Sequence, residues 1–163
     1  MAGPWYDNEM KSCVGCSTAR LYLPSALVGV ASGMRSTVGL AAVIVKGDPE
    51  KLPPVFKHRL AVPAAGVAVA VELVLDKLSF TGSRLEPTGM AGRLVFAGVA
   101  SALLARERSP VVPAVVVAIG AAAVSAKVAH DVRARLAQSV PDRVVAAGED
   151  IVALGVAYAA CSC

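Results

Sequence analysis

Six ionisable side chains stand inside or at the edges of otherwise apolar stretches: Arg35, Glu72, Asp76, Arg93, Glu149 and Asp150. Charge at membrane depth costs at least about 2.5–3.5 kcal/mol per residue on insertion scales, so such groups either pair or serve a function. Glu72 and Asp76 are four apart and would share a helix face. Asp150 adds a second carboxylate beside Glu149, and Arg143 lies upstream on the same stretch. Arg35 can neutralise one of these carboxylates inside a helical bundle. Arg93 can serve another, or snorkel to the surface. Three readings follow. The charges form a buried ion-pair network that pins short helices in one arrangement. Or they line a polar path for an ion, a proton or an anionic substrate. Or they sit shallower and simply touch water.

Other chemistry is thin. Cys13-x-x-Cys16 and Cys161-x-Cys163 hold the four cysteines at the two ends of the chain. They could join in a zinc site only if both ends lay on one side of a membrane, and the spacing reads as incidental thiols, with no metal and no cofactor. His58 and His130 are placed in loops, and the adjacent His130 and Asp131 would diverge on a helix. No Gly-Lys-Ser/Thr follows Gly89, Gly92 and Gly98, so these glycines are not a phosphate loop. No nucleophile is set beside a base, and the chain reads as not an enzyme. The net charge of +4 is not gathered into a basic run interleaved with aromatics, which excludes nucleic acid as a partner. It suits an anionic lipid leaflet instead.

The elements that must position these charges are set by composition. The 163 residues are 56% hydrophobic and 17% charged, against about 45–50% and about 25% in soluble domains. Mean hydropathy is +0.63. The apolar residues fall in five blocks, at 21–45, 61–75, 90–105, 111–128 and 144–160. So many all-round apolar helices in so short a chain point to lipid as the solvent. A span needs about 20 residues, so the second and third blocks must draw charged ends into the interface. Prolines punctuate the linkers at Pro49, Pro53, Pro54, Pro110 and Pro141, while Pro63 and Pro113 suit the first turn of a helix. Residues 130–138 read as a polar helical extension, lying at the interface or continuing the fourth helix, with Arg133 and Arg135 facing water. Residues 1–20 read as a polar, disordered tail, and 21–163 as one membrane-embedded domain. A cleavable signal is not expected, because Arg35 interrupts the first block.

A shift of 50 residues lays Val62-Pro63-Ala64 on Val112-Pro113-Ala114, Lys77 on Lys127, Arg93 on Arg143 and Ala97-Gly98 on Ala147-Gly148. The chain therefore reads as two related helix hairpins, 61–106 and 111–160, behind an atypical first block. Gly29, Gly33, Gly98 and Gly148 are the candidate helix-packing positions. The first block is either one continuous helix with a Gly29/Gly33 contact face, or a broken, re-entrant element with Arg35 at its turn.

Several of these segments, taken together, carry a likeness. They are Gly33-Met34-Arg35-Ser36; Glu72-Leu73-Val74-Leu75-Asp76-Lys77-Leu78; Gly82-Ser83-Arg84 with Pro87 and Gly92-Arg93; Pro141-Asp142; and Glu149-Asp150-Ile151-Val152-Ala153-Leu154-Gly155. In order and spacing the chain resembles, over 23–160, a family of small bacterial integral membrane proteins known only as domain of unknown function 4126. It departs from the pattern at Ser79 and Gly82, where prolines would stiffen the loop. The resemblance implies a multi-span bacterial membrane protein and supplies no substrate, cofactor or catalytic residue. The expectation is an all-α, polytopic bundle of four or five helices in the cell (inner, cytoplasmic) membrane, surrounded by lipid and able to form a homo-oligomer. Its function is a small transporter or channel with an Arg–carboxylate site, its ion or small-molecule substrate unnamed. The alternative is a structural or accessory protein that binds partner proteins or anionic lipids.

Overall fold

The computed structural model describes residues 22–47, 52–75, 87–106, 110–136, 139 and 141–162. Every regular element among them is a helix: α1 (Tyr22–Met34), α2 (Val38–Lys46), α3 (Pro54–Lys57), α4 (Ala61–Leu75), α5 (Pro87–Ala105), α6 (Val111–Leu136) and α7 (Asp142–Ser162). The proposed tail at 1–20, Asp76, Lys77, Arg84, Cys13, Cys16 and Cys163 lie outside the described residues.

The first apolar block is broken. α1 stops at Met34, residues 35–37 turn, and α2 runs back along α1. A Cβ on Gly39 would run into the Ser32 hydroxyl and come within 3.0 Å of the Val28 carbonyl oxygen. Val28 also shares a core cluster with Val43. In a continuous helix Val28 and Gly39 would stand about 16 Å apart. The GxxxG face exists as well, but on the broken element. A side chain on Gly29 would strike the Ala118 backbone, and one on Gly33 the Ala122 carbonyl. Ala114, Ala118, Ala122 and Ala126 form a fully buried stripe on α6, and α1 seats its glycines on it, running parallel to α6. The Ser125 hydroxyl donates to the Val30 carbonyl across this contact at 3.1 Å.

The remaining helices alternate in direction. α5 packs along α6, with Gly98 against Val115 and Ile119. α2 touches α4, α5 and α7. One cluster joins Ala31, Val38 and Ala157 with Val69; the other joins Val28, Val43, Ala100 and Ala160. The start of α1 and the end of α7 consequently lie at the same end of the bundle.

The partition of apolar residues is inverted relative to a soluble core. Alanines and Val28, Val38 and Val43 are inside, while Val67, Val95, Val112, Val116, Val124, Ile151 and Leu154 are exposed. Small residues between helices and large ones outside are what packing in lipid favours. By length and composition, two described helices can cross a membrane: α6, with hydropathy 2.1, and Val144–Ser162 of α7, with hydropathy 1.6. The apolar helices Tyr22–Met34, Ala61–Val74 and Gly89–Ala105 are shorter.

Pro63 and Pro113 each stand third in their helices. The packing of the two units differs, however. α4 and α5 each pack on α2, and α5 also packs on α6, across the boundary between residues 61–106 and 111–160. Gly148 also corrects its reading as a packing glycine. No atom lies within 4 Å of a Cβ placed there, whereas Gly98 meets Ile119 and Val115 at 3.6 Å. Residues 130–136 continue α6 as one helix, so His130 is helical and not in a loop.

Candidate functional site

The turn between α1 and α2 gathers the polar groups. The Arg35 N–H still donates to the Ala31 carbonyl at 2.9 Å, closing the last turn of α1. The Ser36 and Thr37 amides then fall at the start of α2, where a helix leaves its first N–H groups without internal acceptors. Glu72, reaching across from α4, supplies the acceptors. Its Oε1 accepts from Ser36 N at 2.7 Å, and its Oε2 accepts from Thr37 N at 2.8 Å and from the Thr37 hydroxyl at 2.5 Å. Thr37 occupies the N-cap position of α2, yet its own side chain makes no cap bond. The carboxylate replaces it and also meets the positive end of the helix dipole.

Arg35 points the other way, to α7. One of its terminal nitrogens lies 2.5 Å from Asp150 Oδ1, with the two side chains only 3% and 13% exposed. The turn thus brings its own guanidinium together with two carboxylates, one from α4 and one from α7. The N-terminus of α2 adds roughly half a positive charge to the balance.

The other sequence candidates fall elsewhere. Neighbours on a helix point about 100° apart, so Glu149 does not join Asp150. It lies 3.9 Å from Arg133, with side chains 7% and 20% exposed. That pairing was not legible, because Arg133 was expected to face water. Arg93 is buried on α5 at 8% exposure, so it does not snorkel to the surface. Asp76 lies outside the described residues. Among the described residues no three His, Cys, Asp or Glu side chains come together as a metal site. Sequence reasoning missed the Ser36 and Thr37 amides entirely. The only signal available was that a broken helix must find an acceptor for its bare N–H groups.

Beside the tip, α1, α6 and α7 enclose a groove of about 440 Å³. Val30 and Met34 of α1, Leu136 of α6 and Val145 of α7 line it. Gly148, Arg133 and Glu149 are also in its lining. Compared with known proteins, the chain matches no family model, no curated protein and no solved structure.

Proposed function

We propose that this chain is a multi-pass protein of the cell membrane that moves a proton or a small ion past the tip of the α1–α2 hairpin. In this reading α4, α5, α6 and α7 cross the bilayer and α1–α2 enters and leaves from one face. Membership of the family of unknown function that the sequence resembles belongs to the same proposal. The observation that carries it is the buried Arg35–Asp150 pair at a helix break whose amides rest on Glu72. Irregular backbone at membrane depth is tolerated only where protein or a polar cavity surrounds it. Discontinuous helices with exposed half-helix ends are where transporters hold charged cargo. Asp150 stands eight residues into α7, about 12 Å from its start. In a spanning α7 a pair at that depth would lie inside a hydrocarbon core of about 30 Å, which supports the reading.

The test is flux. Purified protein in liposomes carrying a pH-sensitive or a chloride-sensitive dye should relax an imposed gradient faster than empty liposomes. Arg35→Gln combined with Asp150→Asn should lower that rate at least tenfold while the protein still elutes as a folded species. Wild-type liposomes no faster than empty ones for either probe would sink the reading. The accessory role would then stand, favoured by one feature: the three hydrogen bonds to Glu72 already lock the hairpin to α4 without any cargo.

A further inference from the structure

We propose that the groove between α1, α6 and α7 is a binding site for one phospholipid, with an acyl chain lying along α6 and the phosphodiester at Arg133. The inference rests on the membrane reading above but not on transport. Three observations lead to it. First, the groove follows α6 from Ser125 to Leu136, eleven residues and about 16 Å. That is close to half the thickness of a hydrocarbon core of about 30 Å, the depth reached by one chain of one leaflet. Its volume of about 440 Å³ is at the small end of ligand sites and suits a single chain better than a globular ligand.

Second, the lining is apolar, with Val30, Met34, Val128, Val132, Val145 and Val152 along it. The charged residues in it, Arg133 and Glu149, are the loosely spaced pair at 3.9 Å. Arg133 is in the last turn of α6 with the exposed Arg135, at the depth where a headgroup phosphate would sit. Arginine suits a phosphodiester because its planar fork of donors matches two phosphate oxygens. Glu149 stands 3.9 Å from that guanidinium, so a bound phosphate would share Arg133 with a carboxylate.

Third, Gly148 lines the groove with open space where a side chain would stand. A residue that fails to pack helix against helix is thereby placed where it leaves room for a guest.

The test uses the full chain purified in a mild detergent with phosphatidylglycerol added, and counts bound lipid by native mass spectrometry. Wild type should keep one lipid per chain at detergent levels that strip annular lipid. Gly148→Leu should lose it, because the leucine fills the groove. Gly155→Leu is the control: Gly155 lies on the same helix, also with nothing within 4 Å, and does not line the groove. It should keep the lipid. Arg133→Gln should weaken retention about tenfold without changing the elution of the protein. Equal retention in wild type and Gly148→Leu overturns the proposal. So does a wild-type dimer that Gly148→Leu splits with no change in lipid, since a second copy would then fill the groove. A chain that stays soluble and monodisperse without detergent would overturn the membrane reading itself, and retention without ion flux would overturn transport alone.

Discussion

Both hydrogen atoms that Thr37 can donate, from its amide and its hydroxyl, end on one carboxylate oxygen of Glu72, at 2.8 and 2.5 Å. α2 is therefore capped by another helix, and the capping group doubles as a charge at the site. Removing the carboxylate strands the Ser36 and Thr37 amides. Each buried donor left without a partner costs about 1–3 kcal/mol. Glu72→Ala should lower the melting temperature in mild detergent clearly more than Glu72→Gln, which retains one acceptor oxygen. Equal shifts would show that the amides find other acceptors.

The ion pair of Arg35 and Asp150 is open to a double-mutant cycle. Breaking a buried pair by removing one partner costs about 3–5 kcal/mol, whereas replacing both with apolar residues is often neutral. Asp150→Leu alone should destabilise strongly, and Arg35→Met with Asp150→Leu should recover most of the loss. If the pair is the transport site, that stable double variant is dead in the flux assay. A double variant as damaged as the single one would mean that the geometry of the tip, not its charge, is what Asp150 maintains.

The glycines divide into two classes by what a side chain would meet. Gly29→Val and Gly33→Val should unseat α1 from the alanine stripe of α6, giving loss of the folded peak on size exclusion. Gly120→Ala, with nothing within 4 Å, should be neutral or raise stability by up to about 1 kcal/mol through helix propensity. Thermal melts of the set in one detergent would separate the classes. Similar behaviour of Gly29→Val and Gly120→Ala would contradict the close approach of α1 to α6.

In the proposed membrane topology, the reversal at residues 35–37 sets the sidedness of the chain. Single-cysteine variants at Tyr22 and at the native Cys161 should react with an impermeant thiol reagent from one face of the membrane. An Arg135→Cys variant should react from the other. Tyr22 and Cys161 labelled from opposite faces would require α1 and α2 to form one span.

Much of this architecture was readable from residue types, because long apolar blocks punctuated by prolines leave few alternatives to packed helices. The five apolar blocks became helices, and Gly29 and Gly33 proved to be contact positions because small residues spaced by four can only be useful against another backbone. The break after Met34 could be posed but not decided. A Ser-Gly-Met-Arg-Ser run is compatible with either backbone, and the choice is made by Glu72 and Asp150, which lie far along the chain. The site was legible as a set of charges and illegible as pairs. Arg35 with Asp150 and Arg133 with Glu149 depend on the rotation of α7, which sequence spacing does not report. The parallel between Gly98 and Gly148 misled for a related reason. Equivalent register in two helices does not guarantee equivalent neighbours when the hairpin α1–α2 packs against them unequally.

The cap on α2 has a consequence for how the protein is made. Thr37 leaves the ribosome 35 residues before Glu72, and Asp150 follows only in the last helix of the chain. In the proposed membrane topology, the first apolar block meets the translocon before either group that holds its turn has emerged from the ribosome. A nascent chain in that state satisfies its amides best as one unbroken helix. The hairpin would then be a late product, folded back out of a provisional span once α4 and α7 arrive, and biogenesis of this small protein would include a change of topology after insertion.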